Sequence, residues 1–185
     1  LLENLRFCKL LNITPLSVLI PPVPAENPIF PELESNYAVL HIMPQWRFKE
    51  WHLQGWLEVI DFLKQQNLQI VLTGSPNTHE LAAIEQLVNL SHHSIVNYAG
   101  QLSIPDLSML IKDARVFIGP DTGITHLASA TGTPCIALFG PTNPAIWAPW
   151  PHGYQSSTNP FSKRGIQTIK NVYLLQNPST KSCVP

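Results

Sequence analysis

The chain has 185 residues, room for one domain with a proper core and cramped for two. Charged residues make up only 12% of it, about half the usual share. The net charge of −1 provides no field to hold nucleic acid or an anionic lipid surface, so any bound anion must be caught locally, by backbone and a few side chains.

Three cysteines, Cys8, Cys135 and Cys183, are widely spaced and form no C-x-x-C pair. That pattern fits a reducing compartment better than a disulfide framework or a zinc site. No run approaches the roughly 18 continuous apolar residues of a membrane span. The opening LLENLRFCKLLNI lacks the charged region and cleavage site of a signal peptide. A cytoplasmic location is expected.

The first element expected is a short helix around Leu2–Leu11. Pro15, Pro21, Pro22, Pro24, Pro28 and Pro31 then crowd one stretch, and each removes a backbone donor and fixes φ. Residues 1–35 therefore read as a linker, and a domain begins at Asn36. Tyr37–Met43 is a short apolar strand. His52–Gln66 follows as a helix, with Leu53, Trp56, Leu57, Ile60 and Leu63 on one face. Gln69–Thr73 is a strand closed by Gly74-Ser75-Pro76, and Thr78–Leu90 is a helix burying Leu81, Ile84, Leu87 and Val88. Ser94–Tyr98 is a strand. Ser103 caps a helix whose inner face is Leu107, Leu110 and Ile111, with Asp106 completing a short capping box. Arg115–Ile118 is a strand, Thr122–Thr131 a helix and Pro134–Phe139 a strand. Beyond Gly140 comes a loop rich in Pro and Trp, then two short strand candidates, Gly165–Ile169 and Val172–Leu175. Alternating strands and helices predict a doubly wound parallel sheet of the Rossmann type, with helices on both faces.

In such sheets ligands bind outside the carboxyl ends of the strands. The segment Phe117-Ile118-Gly119-Pro120-Asp121-Thr122-Gly123-Ile124-Thr125-His126 sits at such an end. A strand stops, the chain turns, and a helix starts that either Asp121 or Thr122 can cap. Its first-turn N–H groups and dipole suit an anion such as a diphosphate. Gly123 lets a ligand approach the backbone, and His126 can project back over the helix mouth. An Asp-Thr-Gly turn followed by a histidine is equally a common helix start with an ordinary histidine, so this segment by itself is weak. No G-x-G-x-x-G supports a nicotinamide dehydrogenase, no D-x-D points to metal, and no carboxylate pair suits a glycosidase.

The segment continues as DTGITHLASATGTPCIALFGPTNPAIWAP, from Asp121 to Pro149. It is similar, nearly position by position, to the signature of glycosyltransferase family 9, the heptosyltransferases of lipopolysaccharide core assembly. The matching positions include Asp121, Thr122, Gly123, His126, Gly132, Pro134, Phe139, Gly140, Pro141, Thr142, Trp147 and Pro149. Upstream, His41–Trp51 (HIMPQWRFKEW) resembles the segment after the first strand of the family's second domain. There Lys49 falls on the lysine that reaches the donor diphosphate. Thr73-Gly74-Ser75 with Glu80 resembles the loop where an acid holds the ribose hydroxyls, and Gly100–Leu107 resembles the loop beside the base. The likeness runs from about Asn36 to Pro151. Two departures bear on sugar specificity: His52 replaces the family proline after K-x-W, and Gln45 and Trp46 replace hydroxyl residues before the lysine.

The resemblance implies the carboxy-terminal half of a GT-B glycosyltransferase, residues 36–185 being its nucleotide-sugar-binding domain and residues 1–35 a linker and the remnant of a missing amino-terminal domain. It further implies an inverting, metal-independent transfer with no cofactor. The donor, an ADP-heptose-like nucleotide sugar, would be held by Lys49, Glu80, Asp121, Thr122, Gly123 and His126. The general base and the lipopolysaccharide-type acceptor would belong to a missing amino-terminal domain, leaving this chain an inactive fragment without nucleic-acid partners. The full-length protein would be cytoplasmic or peripheral to the inner face of the membrane. Transfer of another sugar to capsule or protein, or a non-catalytic nucleotide-binding module, are the alternatives.

Overall fold

A computed structural model describes residues 7–14, 18–156 and 158–177. Of the helix expected over Leu2–Leu11, α1 (Phe7–Leu10) falls within them. Leu11 lies in a turn, and residues 2–6 lie outside the described residues.

Seven strands form one sheet in the order β3-β2-β1-β4-β5-β7-β6. They are β1 (Tyr37–His41), β2 (Gln69–Thr73), β3 (Ile95–Asn97), β4 (Val116–Pro120), β5 (Cys135–Phe139), β6 (Gln167–Ile169) and β7 (Val172–Gln176). Every pairing is parallel except that of β6 with β7, which is antiparallel. The sheet is therefore mixed at one edge, where a wholly parallel one was expected. The hairpin places its second strand inside, because β7 (VYLLQ) buries Val172, Leu174 and Gln176 while β6 buries no residue. The more apolar strand takes the place beside β5.

The helices divide between the faces. On one, α2 (Leu53–Gln65) and α3 (Thr78–Leu90) bury Trp56, Ile60, Leu63, Ile84 and Leu87 against Ala38, Leu40, Ile70 and Leu72. On the other, α4 (Ile104–Lys112) and α5 (Gly123–Thr131) bring Leu107, Leu110, Ile111 and Ala128 against Tyr37, Val39, Val71, Phe117 and Cys135. β1, the strand covered on both sides, is buried at all five positions, as a central parallel strand requires. The segment before β1 is tied on by Phe30, whose ring lies 5.5 Å from that of Tyr98.

Each helix start follows from its cap. His52, which stands where the family has proline, accepts from Gly55 N–H through Nδ1 at 2.9 Å. Asn77 accepts from the N–H groups of His79 and Glu80, and Ser103 from that of Asp106. The Ser103 hydroxyl also donates to Asp106 Oδ2 at 2.6 Å, a side-chain pair distinct from the capping box's reach back to the N-cap N–H. Two one-turn elements arise where loop was expected, a 3-10 turn at Arg47–Lys49 and α6 (Pro144–Trp147).

Strand order now places the loops. β1, β2, β4, β5 and β7 run parallel, so His41, Thr73, Pro120, Phe139 and Gln176 end at one edge. Chain order reverses between β1 and β4, and at that switch point the loops after the two strands diverge to opposite faces and open a crevice.

Candidate functional site

Lys49 comes from the loop after β1, on the 3-10 turn that lifts its side chain over the sheet edge. Asp121 follows β4 directly. Though 72 residues apart, they meet at the switch point: Lys49 Nζ lies 2.7 Å from Asp121 Oδ2 and donates to the Asp121 carbonyl at 3.3 Å. The pair is nearly out of water, with side chains 14% and 4% exposed. Thr142 Oγ1 donates to the same Oδ2 at 2.8 Å. The Asp121 carboxylate therefore faces the crevice pair and leaves the helix cap to Thr122, whose hydroxyl accepts from Thr125 N–H at 3.4 Å. Of the two caps the sequence left open, the structure selects Thr122.

α5 starts at Gly123, and a Cβ added there would meet no atom within 4 Å, so the helix mouth is open. His126, one turn in, is half-buried. Burial pushes its imidazole below the usual histidine range; the Asp121 charge and a hydrogen bond to the Trp147 backbone oppose the shift, and Lys49 adds to it. The ring is thereby neutral near pH 7 and able both to donate and to accept.

These groups share one cavity of about 710 Å³, lined by Lys49, Asp121, Thr122, Gly123 and His126 together with Trp46 and the Ala145–Ala148 turn. Its size lies in the range of small-molecule sites. The Trp147 ring centroid is 6.0 Å from Lys49 Nζ, a long cation–π contact that helps aim the ammonium. One cation, the backbone N–H groups of an open helix start and a neutral imidazole can receive an anion with a polar group beside it.

Five of the six expected site residues meet here. Glu80 does not line this cavity. Its Oε2 accepts from Ser75 N–H at 2.9 Å, tying together the loop after β2. Glu85, the other acid of that helix, is exposed. Thr142 and Trp147 were legible only as members of the F-G-P-T and W-x-P matches, without a role. Gln176, which carries the Thr142 loop, had no sequence signal at all. Among the described residues no three His, Cys, Asp or Glu side chains converge as a metal-binding group.

The molecule is thus a doubly wound α/β domain with a crevice at the topological switch point. Comparison with known proteins makes the class specific. The model of "Glycosyltransferase family 9 (heptosyltransferase)" matches residues 24–173, and the chain belongs to that family. It is 35% identical over 119 residues to lipopolysaccharide heptosyltransferase 3 of Escherichia coli K12, covering 64% of this chain and 35% of that protein. Against the lipopolysaccharide core heptosyltransferase OpsX of Haemophilus influenzae the identity is 33% over 102 residues, covering 55% and 29%. Among solved structures, E. coli heptosyltransferase WaaC with ADP superimposes with a TM-score of 0.64 at 19% identity, over 93% of this chain and 48% of that one. A family 9 glycosyl transferase from Veillonella parvula gives 0.60 at 17%, over 78% and 36%. The chain matches about a third of the length of these curated relatives.

Proposed function

We propose that this chain is the donor-binding half of an inverting heptosyltransferase of lipopolysaccharide core assembly, with residues 36–185 as the nucleotide-sugar domain and residues 1–35 as its linker. The observation that carries the reading is the meeting of Lys49, Asp121 and His126 around the open start of α5, inside one cavity. An ADP-linked sugar is the donor favoured, because E. coli heptosyltransferase WaaC, of the same fold, is described in one solved structure with ADP and in another with ADP-2-deoxy-2-fluoro heptose.

The chemistry follows from the charges. An acceptor hydroxyl, deprotonated by a base supplied from outside these residues, attacks the anomeric carbon as the bond to the diphosphate breaks. The departing nucleoside diphosphate gains negative charge in the transition state. Lys49 and the N–H groups of the α5 start would neutralise it, the preorganised arrangement that usually contributes most to such catalysis. Asp121 and His126 would orient the sugar hydroxyls so that the anomeric carbon faces the acceptor. Glu80, at the loop after β2, stays a candidate for the ribose hydroxyls only if its bond to Ser75 opens.

Titration calorimetry with ADP in the presence of a chelator tests this. Saturable binding without metal is expected, with guanosine and uridine diphosphates as the arms that read the base. Absence of binding, or binding restored only by a divalent cation, would overturn the reading.

A further inference from the structure

Gln176 ends β7 with 5% of its surface exposed, and nothing in the proposed chemistry uses it. Its amide is nonetheless fully engaged. Nε2 donates to the carbonyls of Gly140 at 2.7 Å and Thr142 at 2.9 Å, while Oε1 accepts from Gly165 N–H at 3.3 Å. Two carbonyls on one side and an N–H on the other admit only one orientation of the amide. Gln176 therefore fixes the loop that follows β5, and that loop presents the Thr142 hydroxyl to Asp121 Oδ2.

Thr142 matters because Asp121 and an incoming diphosphate compete for one ammonium. Lys49 already spends donors on Asp121 Oδ2 and the Asp121 carbonyl. A diphosphate can draw Lys49 toward itself only if the buried carboxylate keeps another donor; otherwise a second anion enters beside an unpartnered one. The Thr142 hydroxyl is a donor already on Oδ2. We infer that Thr142 and Gln176 are positioning residues of the donor site, holding Asp121 satisfied so that Lys49 can be shared with the diphosphate. This inference rests on the donor-site reading above.

The test is ADP titration of the 185-residue chain and its variants, each with a melting curve. Thr142→Val should weaken ADP binding by about tenfold, the worth of one hydrogen bond to a charged group, and Thr142→Ser should restore it. In a Lys49→Ala background, Thr142→Val should cost nothing more, since no ammonium is left to share. Gln176→Glu turns a carboxylate on two carbonyl oxygens. Its ADP affinity relative to the unaltered chain should be poor at pH 8 and recover as pH falls and the introduced carboxyl regains a donor proton. Melting curves at each pH separate this from a loss of fold. A positioning role predicts that affinity recovers while the chain is folded at both ends of the pH range, and affinity that only tracks the melting temperature would refute it.

If Thr142→Val binds ADP as tightly as the unaltered chain, or loses the same factor with and without Lys49, the positioning role is wrong while the donor site stands. If Thr142→Val is too unstable to titrate, Gln176→Glu decides by the same criterion: a constant affinity ratio across pH refutes the inference. If Lys49→Ala alone binds ADP undiminished, the donor site itself is misplaced.

Discussion

Asp121 shows how much a site residue's role depends on what lies opposite it. As a residue after a strand and before a helix it is an obvious cap; in the fold it is a buried carboxylate held by an ammonium and a hydroxyl. The stability consequences change with it. A lysine in a polar loop could be truncated without cost, but truncating Lys49 removes the countercharge of a carboxylate only 4% exposed. Lys49→Ala should therefore cost about 1–3 kcal/mol of stability as well as diphosphate affinity. Thermal melts beside ADP titrations check this, and an unchanged melting temperature would show the pair to be energetically idle. His41 offers an independent residue-scale test. It ends β1 buried, its Nδ1 3.1 Å from Thr73 Oγ1, and burial lowers its pKa from 6.5 to about 4 against an opposing pull from Glu80. A depressed folded pKa means the unfolded chain takes up the proton first. The stability due to neutral His41 is thus complete above pH 6.5 and lost as pH falls toward 4, a loss of about 3 kcal/mol in all. Denaturant unfolding of the chain and of His41→Asn across that window should show the stability difference shift by this amount in favour of the variant, whereas a constant difference would contradict it.

At the scale of elements, α5 has to serve two ends. Its start is open to the cavity, and its body lies close on the sheet through Ala128, Ser129 and Ala130, all buried. Ser129 anchors it further by donating to the Trp150 carbonyl at 2.7 Å. The helix stops at Gly132, at φ 88°, where an added Cβ would also approach the His152 ring at 3.4 Å. Gly132→Ala should cost about 1–2 kcal/mol, the penalty of a side chain in the left-handed region. Gly123→Ala, in open space at the other end of the same helix, should leave stability unchanged or slightly raised while narrowing the helix mouth. Chemical unfolding of the two variants separates the cases; equal losses would mean that the helix start is packed rather than open.

Across the whole molecule, the sheet face over β4, β5 and β7 opposite α5 carries a second cavity of about 810 Å³. Ile118, Ile136, Leu138 and Leu175 form its floor, with Val59 and Phe62 of α2 at its side. The groups proposed to bind the donor gather around the start of α5, at the sheet edge. Measured with an ADP-heptose donor and a lipopolysaccharide-core acceptor, this chain should give no acceptor-dependent turnover, because removing a catalytic base alone costs about 10²–10⁴-fold. Turnover above that of a Lys49→Ala control would overturn the division of labour proposed for the two halves.

Much of this was legible in the residues themselves. Apolar periodicity marked four strand–helix units, Ser103 marked where one helix begins, and the D-T-G…H and F-G-P-T matches identified the family, because all of these are local in the chain. The limits of short elements were less legible: the first strand stops at His41 rather than Met43, and Arg47–Lys49 coils where a loop was expected, since a few residues carry too little pattern to fix their ends. Strand order lay beyond the sequence. It is settled by which faces can be buried together, and this placed the loop after β1 beside the loop after β4, so that Lys49 and Asp121 pair across 72 residues. The same packing turned Glu80, in the first turn of α3, onto the loop after β2 and brought Gln176, from a strand inserted inside its own hairpin, up behind Thr142. Motifs name the side chains a site needs, but which of them touch is decided by the sheet, because an ion pair or a buried amide depends on distances that only the packed fold sets.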